Sequence, residues 1–177
     1  IRTRTTVYFG VGAIKKIDDI AKVLKEKGID KVIVMSGRNA YKATGAWDYV
    51  EKALKDNGIG YVNYAEVTPN PTTHHVNDAA KLAKDFGAKA VIAIGGGSPT
   101  DAGKSVAILL EYPEKTAEDI YDFTFAPEKA APIVSINLTH GTGTETNRFA
   151  VVTNLEKNFK PAIAYDCIYP MFAIDDP

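Results

Sequence analysis

The sequence has 177 residues, of which 45% are hydrophobic and 24% are charged, and its formal net charge is -1 at pH 7. We expect residues 1–177 to form one domain with a sizeable core. The near-zero net charge argues against binding to nucleic acid or to an anionic membrane surface. No apolar run approaches the roughly 20 residues that span a bilayer, so no membrane partner is expected. The single cysteine, Cys167, excludes an internal disulfide and favours a cytoplasmic protein.

Short apolar runs predict the strands of a parallel sheet. The runs at 31–35, 90–94 and 132–136 are continuous rather than alternating, as is typical of strands buried on both faces. Stretches of helical periodicity lie before and between them, at 14–26, 47–57, 73–86 and 98–110. This alternation predicts an α/β fold with a doubly wound, Rossmann-like parallel sheet.

The pattern changes near the C-terminus. Short apolar runs at 149–153, 162–165 and 172–174 follow one another without intervening helices. We interpret them as additional edge strands, antiparallel to the sheet.

The densest signal is the glycine loop at 95–97, which follows the strand at 90–94. A helix begins there, and part of the pattern is explained by capping alone. Ser98 suits the N-cap, Pro99 the first helical position, and Asp101 the third residue of a capping box.

Capping does not explain the glycines or Lys104. Glycines 95, 96 and 97 lose backbone entropy and pack no side chain, which favours close approach of another group. Lys104 lies in the second turn, towards the positive end of the helix dipole. A bound phosphate would account for both features. The pattern narrowly misses the GxxxxGK[ST] phosphate loop, whose first glycine would fall on Ser98, and it lacks the third glycine of GxGxxG.

Residues 95–104 resemble the GGGSxxDxxK signature of the iron-dependent (group III) alcohol dehydrogenases. Four further segments are similar to that family in order and spacing: Phe9-Gly10-x-Gly12, Val67-x-Pro69-Asn70-Pro71-Thr72, Thr139 to Glu145, and Ala173-Ile174-Asp175-Asp176-Pro177. The chain departs from the family pattern at Gly103, Leu138, His140 and Thr144. None of these departures removes a backbone N–H donor from the loops.

The resemblance implies a dinucleotide-binding domain that orients a nicotinamide cofactor. By this resemblance, Asn70 is expected to reach the cofactor and Thr139 and Thr142 to contact it. Phe149 and Lys160 are expected to lie beside it. From the sequence patterns and the resemblance together we expect these cofactor-binding residues: Ser36, Gly37, Arg38, Asn39, Asn70, Gly95, Gly96, Gly97, Ser98, Asp101, Lys104, Thr139, His140, Thr142, Thr144, Phe149 and Lys160.

The turn at 36–39 bears on which cofactor is used. An acid here would bind the ribose 2′-hydroxyl of NAD, whereas small residues with an arginine accommodate a 2′-phosphate. Gly37 carries no carboxylate, and Arg38 and Ser36 can contact a phosphate. We therefore expect NADP(H) to be preferred over NAD(H). The alternative is that Arg38 is an ordinary exposed arginine.

The resemblance also implies reduction of aldehydes or oxidation of alcohols, with Fe²⁺, or Zn²⁺ in some relatives, held by a C-terminal helical domain that would begin after Pro177. No metal ligand is expected within this chain, because His74, His75 and His140 lack suitable spacing. No catalytic residue is expected either, because no residue of the chain is an obvious general acid or base. The expected partners are a small alcohol or aldehyde and a second copy of the protein in a homo-oligomer. Alternatives are the branch of glycerol, glycerol-phosphate and dehydroquinate synthase enzymes, a stand-alone nucleotide-binding module, or a phosphate-loop hydrolase.

Overall fold

A computed structural model describes residues 4–177 of the chain. Its strands are β1 (Thr6–Phe9), β2 (Lys31–Ser36), β3 (Gly60–Tyr64), β4 (Ala90–Gly95), β5 (Ile133–Asn137), β6 (Phe149–Val151), β7 (Ala162–Ala164) and β8 (Phe172–Asp175). Its α-helices are α1 (Ile17–Glu26), α2 (Ala40–Ala43), α3 (Ala46–Asp56), α4 (Thr73–Phe86), α5 (Gly97–Glu111) and α6 (Ala117–Tyr121), and short 3-10 helices cover Ala13–Lys16, Thr144–Thr146 and Asp166–Ile168.

Six strands form one parallel sheet in the order β1-β8-β5-β4-β2-β3. From β2 the chain adds β3 on one side and then β4, β5 and β8 on the other, with β1 at the far edge, which is the doubly wound arrangement predicted from the sequence. The direction of winding therefore reverses between β2 and β4. Ligands in such sheets bind beyond the carboxyl ends of the strands at this switch point.

Alternate residues of the central strands feed two separate cores. Val34 and Ile92 pack with α1 and α3 on one face of the sheet, while Ile33 and Val91 pack with α4, α5 and α6 on the other. These side chains are fully buried. Burial on both faces explains why the strands are apolar throughout and do not alternate.

The predicted C-terminal strands take two different places. β6 and β7 pair antiparallel as a separate two-stranded sheet, which packs through Ala150 and Ile163 onto the core around α5. β8, by contrast, is parallel and lies inside the main sheet between β1 and β5. The run at 172–174 was therefore wrongly predicted as an edge strand. The burial of its two middle residues, Ala173 and Ile174, agrees with its continuous apolar sequence.

Asp176 ties the end of the chain to its beginning. Its Oδ1 accepts a hydrogen bond from the Gly12 amide at 3.1 Å and its Oδ2 accepts one from the Ile14 amide at 3.0 Å. A carboxylate at the start of a helical turn satisfies N–H groups that have no intrahelical partner. The glycine turn after β1 and the Asp-Pro sequence after β8 thus form one unit.

None of the helices within residues 4–177 is both long enough and apolar enough to cross a membrane.

Candidate functional site

The glycine loop and the threonine loop, residues 139–145, lie side by side at the carboxyl ends of β4 and β5. The Leu138 amide donates a hydrogen bond to the Gly95 carbonyl at 2.9 Å. Thr139, His140 and Thr142 are exposed at this edge. The two motifs, some forty residues apart in sequence, therefore form a single surface.

Part of the reason for the successive glycines is this contact between the loops. A Cβ on Gly96 would lie 2.8 Å from the Oγ1 of Thr139, and one on Gly97 would lie 3.1 Å from the Oγ1 of Thr142. Gly95 has a positive φ of 147°, and a Cβ there would meet Pro99 at 2.7 Å. Each glycine thus has a packing role that is independent of any ligand.

The first turn of α5 is suited to binding an anion. The helix begins at Gly97 with Gly96 as its N-cap, and no side chain makes a capping hydrogen bond there. The prediction that Ser98 is the N-cap, with Asp101 completing a capping box, is therefore wrong. Because the first N–H groups of a helix have no partner within the helix, they can bind phosphate. The half-buried glycines leave the backbone open to a pyrophosphate group.

Lys104 is placed differently from the sequence prediction. Its side chain is fully buried. Its Nζ donates to the Thr144 hydroxyl at 2.8 Å, to the Asn147 carbonyl at 2.9 Å and side-chain oxygen at 3.1 Å, and to the Phe149 carbonyl at 2.7 Å. An ammonium has three N–H donors, so these oxygens use all of them. Lys104 therefore anchors residues 144–149, unlike the lysine of a phosphate loop.

Asp101 and Thr144 belong to the same buried network. The Thr144 hydroxyl donates to the Asp101 Oδ1 at 2.6 Å, and the Val151 amide donates to the Oδ2 at 3.1 Å. Thr144 is only 4% exposed. Asp101, Thr144 and Lys104 thus hold the threonine loop and β6 against α5, and their contacts with a cofactor stay predictions.

Burial shifts both charged groups of this network. It raises the pKa of the Asp101 carboxyl, while the hydroxyl of Thr144 and the amide of Val151 oppose the shift. It lowers the pKa of Lys104 to about 8, with the charge of Asp101 opposing it. Both shifts express the cost of removing charge from water. The four oxygens around Nζ require a protonated lysine.

A second cluster joins two further predicted residues. Lys160 Nζ donates to the Oδ1 of Asn70 at 2.6 Å, and both residues are exposed. Asn70 adopts a positive φ of 63°, which asparagine tolerates better than most residues. The turn that carries Lys160 is built by Asn154, whose Oδ1 accepts the amides of Glu156 and Lys157.

Backbone pairing fixes the distance between these two turns. The Thr153 amide donates to the Pro71 carbonyl at 2.8 Å, and the Thr73 amide donates to the Thr153 carbonyl at 3.0 Å. The Asn-Pro-Thr turn is therefore held directly against the segment that follows β6.

The two adjacent histidines at the start of α4 differ. The Thr72 hydroxyl accepts the His75 amide, and the His75 Nδ1 accepts the Thr72 amide at 3.1 Å, which is a capping box. Burial lowers the pKa of His75. His74 is exposed, with its Nε2 3.9 Å from a Glu156 oxygen. His75 is thus a capping residue of α4, whereas His74 faces solvent.

The predicted residues of the turn after β2 differ in their exposure to solvent. Ser36 is 1% exposed, and its Oγ has no hydrogen-bond partner among residues 4–177, so its contact with a phosphate stays a prediction. Arg38 and Asn39 are exposed. Arg38 donates through Nε at 3.0 Å, and through Nη2 at 2.9 Å, to one oxygen of Glu66. Glu66 was missed, because β3, the strand it follows, was not predicted.

Phe149 is 49% exposed, and the Arg148 guanidinium lies 5.9 Å from its ring centroid. Its carbonyl accepts from Lys104, so the buried network sets the position of this exposed ring.

Within residues 4–177 no group of three histidine, cysteine, aspartate or glutamate side chains is arranged to hold a metal ion. The described residues therefore do not fit an iron site. A cavity of about 650 Å³ is lined by Ile14, Tyr49, Asn137, Leu138 and Asp176 among others.

Comparisons with known proteins agree with the architecture. The family model for iron-containing alcohol dehydrogenases matches residues 4–177. The chain is 61% identical to the long-chain primary alcohol dehydrogenase AdhA of Thermoanaerobacter ethanolicus over 100% of its own length and 44% of that protein. It is 36% identical to the NADPH-dependent butanol dehydrogenase of Clostridium saccharobutylicum, over 96% of this chain and 42% of that one.

Among solved structures, the NADH-dependent butanol dehydrogenase A of Thermotoga maritima matches with a TM-score of 0.92 and 36% identity, over 100% of this chain and 44% of the other. The chain thus spans less than half the length of the relatives it matches. The family model covers nearly every residue, and the fold is shared with a solved member. The chain belongs to the iron-containing alcohol dehydrogenase family.

Proposed function

We propose that residues 1–177 form the dinucleotide-binding domain of a metal-dependent alcohol dehydrogenase or aldehyde reductase, and that this domain prefers NADP(H). The observation that carries the proposal is the uncapped start of α5 at Gly97, flanked by the exposed threonines of the second loop. Backbone N–H groups at that point suit a pyrophosphate.

The chain's own residues would bind and orient the cofactor. The amides at 96–98 would hold the pyrophosphate, with Thr139 and Thr142 donating from the adjacent loop. Lys160 and Asn70 would lie along the nicotinamide half, beside Phe149. A bound nicotinamide cofactor supplies or accepts a hydride. The network of Lys104, Asp101 and Thr144 would act indirectly, by fixing the loop that presents these groups.

The preference for NADP(H) rests on the turn after β2. Gly37 offers no carboxylate to a ribose hydroxyl, and Arg38 is exposed beside it. Both cofactors occur among similar proteins: the Thermotoga structure is described as NADH-dependent and the Clostridium saccharobutylicum enzyme as NADPH-dependent.

Titration calorimetry with NADPH and NADH tests both parts of the proposal. We expect tighter binding of NADPH, and a selective loss of that advantage in Arg38→Ala. Lys42→Ala, which removes another cation near the same turn, is the matched control. Equal or tighter binding of NADH by the unchanged protein would refute the preference, and failure to bind either would refute the domain assignment.

The substrate and the metal belong to the part of the protein proposed to follow Pro177. By similarity to the long-chain primary alcohol dehydrogenase, we propose a primary alcohol or the corresponding aldehyde as substrate. We propose that residues 1–177 alone bind NADP(H) weakly and turn over no alcohol, since the groups that would hold the substrate and the metal are proposed to lie in that other part. Alcohol oxidation by the isolated chain would contradict this.

The threonine loop, with its Thr-x-Gly-Thr-Gly-Thr-Glu sequence, favours the alcohol dehydrogenase branch over glycerol, glycerol-phosphate or dehydroquinate synthase enzymes. If the gene ends at Pro177, a stand-alone nucleotide-binding module becomes the better reading. We further propose a cytoplasmic location, and self-association remains a prediction. Size-exclusion chromatography with light scattering would test the latter.

A further inference from the structure

We propose that Glu66 is a specificity-determining residue for the cofactor: it is the counterion of Arg38 in the free protein, and a 2′-phosphate must displace it. This inference rests on the proposed use of NADP(H). The carboxylate of Glu66 would compete with the 2′-phosphate for Arg38, although the turn at 36–39 itself contains no acidic residue.

The geometry favours an exchange of partners. Both N–H groups of Arg38 that bond Glu66, Nε and Nη2, converge on the single oxygen Oε2. Nε and an Nη are the donors that a phosphate would use in bidentate binding. Glu66 therefore occupies the face of the guanidinium that a 2′-phosphate requires.

The backbone holds this carboxylate beside the turn. The Val67 amide donates to the Ser36 carbonyl at 3.2 Å. A Cβ on Gly37 would lie 3.2 Å from the Val67 carbonyl. The segment after β3 thus packs directly against the turn after β2. Glu66, in the segment that follows the neighbouring strand β3, thus places a negative charge beside this turn, where Gly37 itself carries none.

Exposure allows the exchange to happen. The Arg38 side chain is 75% exposed and that of Glu66 is 56% exposed. Exposed ion pairs are weak and their side chains move freely, so the pair does not lock Arg38. A phosphate monoester carries nearly two negative charges at pH 7 and would repel Glu66 while attracting Arg38. NADH, which has no 2′-phosphate, would leave the pair intact.

The test uses Glu66→Gln, Arg38→Ala and the double variant in the full-length gene product that contains this chain. Calorimetry measures the Kd of NADPH and of NADH without substrate. Glu111→Gln is the matched control, because it removes the same charge from an exposed ion pair with Lys129 at the far end of α5. Thermal unfolding establishes that each variant is folded.

We expect Glu66→Gln to tighten NADPH binding by about two- to five-fold, the range of an exposed ion pair, and to leave NADH and the control within about two-fold. In the Arg38→Ala background the gain should shrink by half or more, because no arginine remains to be released. Unchanged or weaker NADPH binding in Glu66→Gln would overturn the proposal.

The two proposals fail in different ways. If Arg38→Ala leaves NADPH binding unchanged, the preference for NADP(H) fails. If Arg38→Ala weakens NADPH binding but Glu66→Gln does not strengthen it, only the assignment to Glu66 fails. A selective loss of NADH binding in Glu66→Gln would instead make Glu66 a ligand of the ribose hydroxyls and overturn its role as a competitor.

Discussion

Lys160 donates to the side-chain oxygen of Asn70 across 90 positions of sequence, with 2.6 Å between Nζ and Oδ1. Both residues are exposed, so the contact contributes little to stability. Its importance is that it brings a cation and an amide together on the edge of the proposed cofactor site. Neither residue is distinguished by local sequence pattern alone.

Replacing either partner should weaken cofactor binding. We expect Asn70→Ala and Lys160→Ala each to raise the Kd of NADPH by about ten-fold, as is usual when a hydrogen bond to a charged group is lost. The double variant should lose less than the product of the two effects, since the residues act together. Calorimetry with NADPH measures this.

Lys157→Ala is the control for this pair. Lys157 lies in the same turn but points its Nζ to Asp122 at 2.8 Å. If the Asn70 and Lys160 variants bind NADPH as well as the Lys157 variant does, the assignment of both residues to the cofactor site is wrong.

The sequence predicted the central sheet and its helices because their burial leaves a strong apolar pattern. The predicted helix at 73–86 has the observed bounds of α4. β3, with the sequence Gly-Tyr-Val-Asn-Tyr, lies at a sheet edge and is only half-buried, so it has no continuous apolar run. α2 and α6, with four and five residues, are too short to show periodicity.

Side-chain partners were harder to predict than elements. Lys104 is unusual in the sequence because a cation in the second turn of a helix opposes the helix dipole, and the structure does place it near the start of α5. Its resolution is a set of oxygens from residues 144–149, which no local spacing reveals. Gly103 has a similar explanation: a Cβ there would lie 3.1 Å from Val91, so the close packing of α5 on β4 favours glycine.

Removing Lys104 should destabilise the domain. Lys104→Met keeps the length of the side chain but leaves Asp101 as a buried carboxylate without its cation. We expect the free energy of unfolding to fall by about 3–5 kcal/mol, because the buried Asp101 carboxylate loses a nearby compensating charge and the buried oxygens around Nζ lose their donors. Urea denaturation followed by circular dichroism measures it.

Lys81→Met provides the matched control, because Lys81 makes an exposed pair with Asp85 on α4. Its effect should stay within about 0.5 kcal/mol. A Lys104 variant as stable as this control would show that water satisfies the four oxygens around Nζ equally well. Lys104 would then not stabilise the domain through its buried hydrogen bonds.

Stability should depend on pH through His75. Burial lowers its pKa in the folded state, with Asp78 and Glu66 opposing the shift and His74 adding to it. The unfolded chain therefore binds this proton more readily. The contribution is complete above about pH 6.5, the unperturbed value, and is lost as pH falls through the lower folded pKa. Protonation would also remove the Nδ1 acceptor of the capping box.

His75→Gln separates this effect from general acid denaturation, since glutamine keeps an acceptor at the same capping position and does not titrate. Between pH 7.5 and pH 5 the unchanged protein should lose more unfolding free energy than His75→Gln does. His74→Gln should lose as much as the unchanged protein. Parallel pH profiles for all three proteins would contradict the assignment to His75.

Gly96 distinguishes packing between the loops from approach of a ligand. In Gly96→Ala the new Cβ would lie 2.8 Å from the Oγ1 of Thr139, so one loop must shift. We expect lower stability, because overpacking commonly costs about 1–3 kcal/mol. We also expect an NADPH affinity reduced on the order of ten-fold, because the new methyl group would obstruct a pyrophosphate bound at the start of α5. Denaturation and calorimetry report the two effects separately.

Thr139→Ala removes the hydroxyl that Gly96→Ala would meet. In that background the stability penalty of Gly96→Ala should largely disappear, because the clash has gone. The loss of NADPH affinity should persist, because a pyrophosphate bound at the start of α5 would also approach the backbone at Gly96. If both penalties disappear together, Gly96 serves only the packing of the two loops. Lys160 and Asn70 would then be the proposed cofactor contacts that are left.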